Sequence, residues 1–343
     1  MQKILIIRFS SIGDIVLTTP VIRCLKNQLG DAEIHFLTKK QYEPLLQANP
    51  YIDHLWLYDH NFKSLVPALK KEHFDFIADL HHNIRSAFVR CMLRRPSATF
   101  SKLNIQKWLM VNFKWNFLPD VHIVDRYFKT VSSFRILKDG EGLDHFIPEQ
   151  QEVDPAQISP SFRNGYIVVV IGGKHHTKIF PVDKVTEVCR RLDVPVILLG
   201  GEEDFERGEE VVRAVGTRVI NGCGLFTLNQ AASLIFQSDS VLTNDTGMMH
   251  IAAAFCKRMV SVWGNTIPAF GMTPYMPTDD NYPTLIAEVH GLSCRPCSKL
   301  GFRECPRKHF RCMNDIDVGE IVQFLKSSDS PVDSSSLGIT SIP

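Results

Sequence analysis

No stretch of this 343-residue chain reaches roughly 18 uninterrupted apolar residues, the run a membrane-spanning helix needs, so no transmembrane helix is expected. The opening Met1-Gln2-Lys3, followed by Ile4-Leu5-Ile6-Ile7 and then Arg8, lacks the length and small-residue cleavage site of a secretory leader. It reads instead as a buried first strand. GxGxxG is missing after that strand, and so is a P-loop lysine, which leaves dinucleotide and ATPase readings without a motif. Net charge is only +1, so the chain as a whole carries no polyanion-binding excess.

What is present is the composition of a globular protein, 44% hydrophobic and 22% charged, with length enough for two domains. Nine cysteines without an export signal point to a reducing cytoplasm, where thiols stay free or bind metal. Apolar strands alternate with amphipathic helices: Lys3 to Arg8, a helix from Ile15 to Leu29, Glu33 to Leu37, Asp53 to Tyr58 and Phe74 to Asp79. Between 138 and 164 the pattern lapses into Gly, Pro and charge, and a second series begins at Tyr166. Such alternation predicts an α/β protein of two Rossmann-like, doubly wound domains facing a cleft, residues 1–155 and 165–314. A final helix follows over 315–326, and the Ser-rich 327–343 reads as a disordered tail.

Three strand ends carry chemistry. Ser240 to Asn244 breaks into Asp245-Thr246-Gly247-Met248-Met249-His250 and a helix, so amides, a hydroxyl and an acid meet where α/β sheets bind ligands. The same residues also suit a plain capped helix. After the first strand, Ser10, Ser11 and Gly13 can donate to an anion, and Asp14 is either a cleft-facing general base or a helix cap. Gly172-Gly173-Lys174-His175-His176-Thr177-Lys178 offers a cation-rich rim for a diphosphate, or merely surface charge; adjacent histidines do not converge on a metal. Glu202 stands where an acid commonly holds a ribose hydroxyl, or caps the next helix. Asp315-Ile316-Asp317 opens the last helix and reads as capping.

Lys3 through Pro20, Lys178-Ile179-Phe180-Pro181, Gly201-Glu202 and Asn244 through Ala254 together resemble the bacterial lipopolysaccharide heptosyltransferases, glycosyltransferase family 9. The resemblance implies a GT-B fold and inverting, metal-independent transfer of heptose from ADP-L-glycero-D-manno-heptose to a lipid A-linked core acceptor. It also implies a site at the inner face of the bacterial inner membrane. Asp14 would be the catalytic base; Thr177, Lys178, Glu202, Asp245, Thr246, Gly247 and His250 would bind the donor; Ser10, Gly13 and Arg85 would meet the acceptor. Two departures stand out: Phe180 where Trp is usual, and Gly172-Gly173 where a Pro-Gly-small turn is common.

From Arg85 to Lys138 eleven Lys or Arg face two acids, with aromatics interleaved around Trp108, Phe113, Trp115 and Phe117. The pattern suits an acidic acceptor on an anionic membrane, a buried aromatic core with a solvated basic face, or nucleic acid; the resemblance favours the first and leaves nucleic acid unexpected. Cys294, Cys297, Cys305 and Cys312 have the spacing of a structural zinc site, with His309 a substitute ligand, but the second CxxC is missing and unligated or redox thiols remain open. A zinc-stabilised nucleic-acid-binding protein is the reading from another class. Salt-dependent RNA binding without nucleotide-sugar binding would mark it.

Overall fold

The computed structural model describes residues 2–278 and 282–327; the serine-rich tail beyond 327 lies outside the described residues. Eleven strands are assigned among them: β1 Gln2–Ile7, β2 Ala32–Lys39, β3 His54–Tyr58, β4 Phe76–Asp79, β5 Ser97–Thr99, β6 Ile167–Val170, β7 Val196–Leu199, β8 Val219–Asn221, β9 Ser240–Asn244, β10 Arg258–Trp263 and β11 Thr284–Glu288. They form two sheets, in the orders β3-β2-β1-β4-β5 and β11-β10-β9-β6-β7-β8. Every pairing is parallel, as strands alternating with helices require.

Strand order reverses between β1 and β4 in one sheet and between β6 and β9 in the other. A crevice opens at such a reversal because successive crossover helices turn to opposite faces. The turns following β1, β6 and β9 are those the sequence singles out, and each starts at the carboxyl end of a strand beside a reversal.

Ile4, Leu5, Ile6 and Ile7 are wholly buried, because a central parallel strand is covered on both faces; each contributes about 1.5–3 kcal/mol of transfer energy. The cores are not fully separate. One hydrophobic cluster runs from Ile4 and Phe36 through Tyr127 and Tyr166 to Val241, Met249 and Trp263, joining both sheets, with one smaller cluster in each half.

The helix expected over Ile15 to Leu29 is two helices, Ile12–Val16 and Thr19–Gln28. Pro20 has no N–H for the Val16 carbonyl, and the Thr19 hydroxyl donates to that carbonyl at 2.8 Å instead. The short strands β5, β8 and β11 escaped the sequence reading: each lies at a sheet edge, and β11 alternates exposed and half-buried residues around a single buried Ala287. The connecting segment is held by Arg23, which bonds Asp139 at 2.8 Å, the Gly142 carbonyl at 3.0 Å, and Asp144.

Candidate functional site

Asp14 sits in the first turn of the Ile12–Val16 helix, where it completes a capping box with Ser11. One carboxylate oxygen accepts from the Ser11 amide at 3.2 Å and the Ser11 hydroxyl at 2.8 Å. The other pairs with the Arg8 guanidinium at 2.7 Å, and 21% of the side chain stays exposed. Arg8 is anchored in turn by the Ser10 and Leu80 carbonyls and the Tyr127 hydroxyl. Burial would raise the Asp14 pKa, but Arg8 and the Ser11 donors outweigh it and hold the carboxyl below its ordinary value. The group is therefore ionised at neutral pH.

Arg8 is the functional neighbour that sequence reasoning passed over; its place at the end of β1, six residues before the acid, was the available signal. Positive groups surround the same spot. His81 is pushed down to about 3 by burial, then by Arg8 and Lys102. Lys107 is pulled down to about 8 by burial and Arg126, with Asp14 opposing.

Across from Asp14, the residues after β9 and β6 interlock. Lys178 Nζ bonds Asp245 Oδ2 at 2.5 Å, and the Thr266 hydroxyl donates to that same oxygen at 2.7 Å. Asn244 makes this geometry possible. Its amide donates to the Gly172 carbonyl at 3.0 Å and its oxygen accepts from the Phe180 amide at 3.0 Å, fastening the Lys178–Pro181 element to the end of β9. Asp245, pinned by two donors, positions Lys178.

Thr246 is the N-cap residue of the helix Gly247–Ala254, and its Oγ1 is buried without a hydrogen-bond partner among the described residues. The same is true of His250 Nδ1 and of both side-chain polar atoms of Asn265. Buried polar atoms without a partner are uncommon in folded proteins, and these follow β9 and β10.

His250 stands between the two walls. It is 3% exposed, burial drives its pKa down to about 4, and Asp245, Asp14 and Lys178 all act on it electrostatically. Gly13 is buried beneath this imidazole. Gly247 meets Ile12 and Gly13 so closely that a Cβ there would lie 2.6 Å from Ile12 Cγ2. The helix starts after β1 and β9 thus touch, and the residues expected to bind opposite substrates share one seam.

The remaining expected residues are placed as follows. Thr177, expected on the diphosphate, is 1% exposed, and its hydroxyl accepts from the Phe302 amide at 2.8 Å and donates to the Phe302 carbonyl at 3.3 Å. Glu202 is exposed at the end of β7; capping falls to Asp204, whose carboxylate accepts from the Gly201 amide at 2.8 Å. Ser10 is half-buried, its carbonyl on Arg8, while Arg85 is exposed in the first turn of the Ile84–Leu93 helix. Asp317 caps the last helix through the Gly319 amide at 2.7 Å, and Asp315 pairs with Arg311, so that triplet forms no metal motif.

Of the eleven Lys and Arg in the basic stretch, Arg126 alone is buried, and Arg85, Arg94, Arg95, Lys114, Lys129, Arg135 and Lys138 are exposed. Arg126 is 3% exposed and donates to the Ser101 and Phe270 carbonyls, Arg90 pairs with the buried Asp79, and Lys138 pairs with Asp125. The aromatic segment is exposed as well. The helix Asn104–Phe113 buries no residue, and Ile105, Trp108, Phe113, Trp115 and Phe117 are each more than half exposed. A buried aromatic core is thereby excluded there.

Glu33, His35 and His54 lie close enough together to share an ion. The Trp56 indole, a pure donor, bonds His35 Nδ1 at 2.9 Å, so the proton of neutral His35 is on Nε2, donating to Glu33 at 3.0 Å. That nitrogen has no lone pair for a metal. The trio is a hydrogen-bonded cluster at the start of β2 and β3.

Residues 62–299 match the family described as glycosyltransferase family 9 (heptosyltransferase). Lipopolysaccharide heptosyltransferase 1 of Campylobacter coli is 25% identical over 292 residues, covering 77% of this chain and 84% of that protein. The structure of E. coli ADP-heptose LPS heptosyltransferase II superposes with a TM-score of 0.70 at 20% identity, over 94% of this chain and 97% of the other. E. coli heptosyltransferase WaaC with ADP gives 0.67 at 16% identity, over 94% and 99%. Two parallel sheets meeting at their carboxyl edges are the GT-B arrangement of these neighbours.

Proposed function

The chain belongs to glycosyltransferase family 9, the heptosyltransferases, and from that premise we propose that it moves heptose from ADP-L-glycero-D-manno-heptose to a lipid A-linked lipopolysaccharide core, with inversion and without a metal in the transfer step. The observation that carries this reading is the seam at His250. An ionised carboxylate, Asp14, lies on one side; a fixed ammonium, Lys178, with the unpartnered Thr246 Oγ1 and His250 Nδ1, lies on the other.

In this mechanism the acceptor hydroxyl gives its proton to Asp14 as its oxygen bonds the anomeric carbon on the face opposite the nucleotide. The anomeric carbon–oxygen bond breaks, and its electron pair departs on ADP. Lys178 and the amides at the start of the Gly247 helix neutralise the diphosphate charge as it develops. Arg8 keeps the base ionised while weakening it, which suits a proton that moves late, when the attacking oxygen has become acidic. Exposed Glu202 is free to take a ribose hydroxyl. Asp245 acts through Lys178, and Thr177 acts through the Phe302 loop.

To the acceptor we assign Arg85, Ser10 and Gly13, together with the exposed Ile84, Ile105, Trp108 and Trp115. Apolar side chains interspersed with cations fit a phosphorylated glycolipid at an anionic bilayer, and no helix of the described residues is long and apolar enough to cross one. We therefore place the enzyme peripherally, at the cytoplasmic face of the inner membrane, with nucleic acid no partner.

A thermal-shift screen of ADP-, UDP- and GDP-sugars, followed by mass analysis of the glycosylated core, tests the donor. A rise in melting temperature with ADP-heptose alone, and an acceptor heavier by one heptose, is the expected result. Stabilisation and transfer with a UDP- or GDP-sugar alone would replace this donor with another.

A further inference from the structure

The helices Phe62–Lys71 and Ile84–Leu93 pack against each other and lead into β4 and β5, so their carboxyl ends meet at the amino edge of the first sheet. The turn after β1, which carries Asp14, lies at the opposite edge, because the strands of that sheet are parallel. Between the two helix ends is a cavity of about 430 Å³, within the range of small-molecule sites. Leu69, Phe74 and Leu93 are buried and give it an apolar floor. Its rim is cationic: Lys70, Arg94 and Arg95 are exposed there, with His73 beside them.

No acid lines the cavity. The two acids of the same turn are drawn off by the chain start: Glu72 accepts from Lys3 Nζ at 2.7 Å and Asp75 from the Lys3 amide at 2.8 Å. Cations gathered at helix carboxyl ends usually satisfy the last carbonyls. Here they do not, since the side chains of Lys70, Arg94 and Arg95 donate to no carbonyl and pair with no carboxylate among the described residues. Arg95 instead donates to His73 Nδ1 at 3.0 Å. With that nitrogen accepting, the neutral imidazole carries its proton on Nε2 and has a donor to spare. Three permanent charges of one sign thus share a partly enclosed pocket with nothing to neutralise them, and an anion with several acceptor oxygens relieves that repulsion.

We propose that this cavity is a second anion site, separate from the transfer site, and that it takes a phosphate monoester. The phosphate oxygens meet Arg94, Arg95, Lys70 and His73 Nε2, and the body of the ligand lies on the apolar floor. A monoester has three terminal oxygens, enough for the guanidinium forks and the ammonium together. Both a soluble ester and a lipid headgroup present this group, and the test separates them. The site does not depend on the donor or the acceptor assigned above.

Cys91 lines the same cavity and is the one exposed cysteine of the nine. The thiols of Cys294, Cys297, Cys305 and Cys312 are half-buried or buried and, among the described residues, form no group within reach of a shared ion. Cys91 is therefore a reporter already placed in the site. In the full chain, peptide-resolved mass spectrometry follows its alkylation by anionic iodoacetate and by neutral iodoacetamide. A cationic rim favours the anionic reagent, so the ratio of the two rates at Cys91 is expected to fall about tenfold when Arg94→Glu is combined with Arg95→Glu. Glucose 1-phosphate and water-soluble dihexanoyl phosphatidic acid are the ligand probes, with sodium chloride at equal ionic strength and dihexanoyl phosphatidylcholine as controls. Protection from iodoacetamide by glucose 1-phosphate, half complete below about 1 mM and lost in the double variant, supports a soluble ester. Protection by the phosphatidic acid alone, lost in the same variant, supports a lipid headgroup. Because reversing two charges can disturb the fold, the wild-type chain decides first: no protection there from either probe, or equal protection from sodium chloride, overturns the site. Protection retained in a folded double variant, or a rate ratio that does not move, overturns it as well.

Discussion

The imidazole of His250 lies so close to Gly13 that a Cβ at position 13 would stand 2.4 Å from its Cδ2. One half of the protein contributes the glycine and the other the ring, and Asp14, the proposed base, is the next residue along. Gly13→Ala is therefore expected to destabilise the fold by about 1–3 kcal/mol, as overpacking does, and to lower transfer more than its stability loss explains. Denaturant unfolding beside steady-state kinetics measures both, and His250→Ala in the same chain should restore part of the stability. Wild-type stability in Gly13→Ala would show that the contact yields freely.

Replacing Asp14 by Asn is expected to reduce kcat by roughly 10²–10⁴ while leaving ADP affinity within about twofold, since only the proton transfer is lost. Undiminished turnover would remove Asp14 from the role of base.

Arg8 sets where that base titrates. The folded Asp14 pKa lies below its ordinary value, so the carboxylate form, and the stability from its pair with Arg8, is present above the unfolded value and is lost as pH falls through the lower folded one. The acid limb of kcat/KM should fall below the ordinary carboxylate range, and Arg8→Met should move it upward. A limb unmoved in that variant would mean that Arg8 does not control the charge of Asp14.

Lys178→Ala removes one charge-assisted contact to the diphosphate, about 1.5–3 kcal/mol, which corresponds to roughly a ten- to hundredfold weaker ADP dissociation constant. Asp245→Asn should weaken ADP less, because it loosens the ammonium without deleting it. Calorimetric titration of both variants orders the two effects, and the reverse order would make Asp245 the direct contact.

Buried histidines give the protein an acid sensitivity of its own. Burial, first among the causes, holds His122, His145 and His250 down to about 4 and His81 down to about 3. Between the unfolded value near 6.5 and those folded values the unfolded chain binds more protons, so stability falls as pH falls, by up to about 1.4 kcal/mol per pH unit for each group. Urea unfolding at pH 7 and pH 5 should show this loss, and His145→Leu should make the slope shallower.

The exposed helix Asn104–Phe113 and the residues after it are expected to bring the chain to vesicles containing anionic phospholipid and not to neutral ones, with binding weakened by salt. Trp108→Glu combined with Trp115→Glu should abolish sedimentation with the vesicles. Equal binding to neutral vesicles, or binding unchanged in the double variant, would point away from this surface.

Periodicity alone was enough to read the central strands and the amphipathic helices Phe205–Val215 and Leu228–Gln237, because fully buried strands and one-sided helices leave strong patterns. It was blind to β5, β8 and β11, whose edge positions need few apolar residues. Asp14, Lys178 and Asp245 were legible because each follows a strand end. What no linear pattern contains is the pairing across the chain: Arg8 on Asp14, Thr266 on Asp245, and Phe302 covering Thr177 from 125 residues away. Nor does charge in a sequence reveal which member of a basic stretch is buried, as Arg126 is among the Ser101 and Phe270 carbonyls.

Lys114, at the end of the exposed aromatic helix, reaches across to the carbonyls of Pro296 at 2.7 Å and Cys294 at 3.3 Å. An ammonium on a flexible stem trades one carbonyl for water with little loss, and the helix it belongs to has no buried residue to pull out. The consequence is that this helix is fastened to the second half by side-chain contacts at its surface, Lys114 at one end and Lys299 on Asn104 at the other, rather than by buried apolar packing.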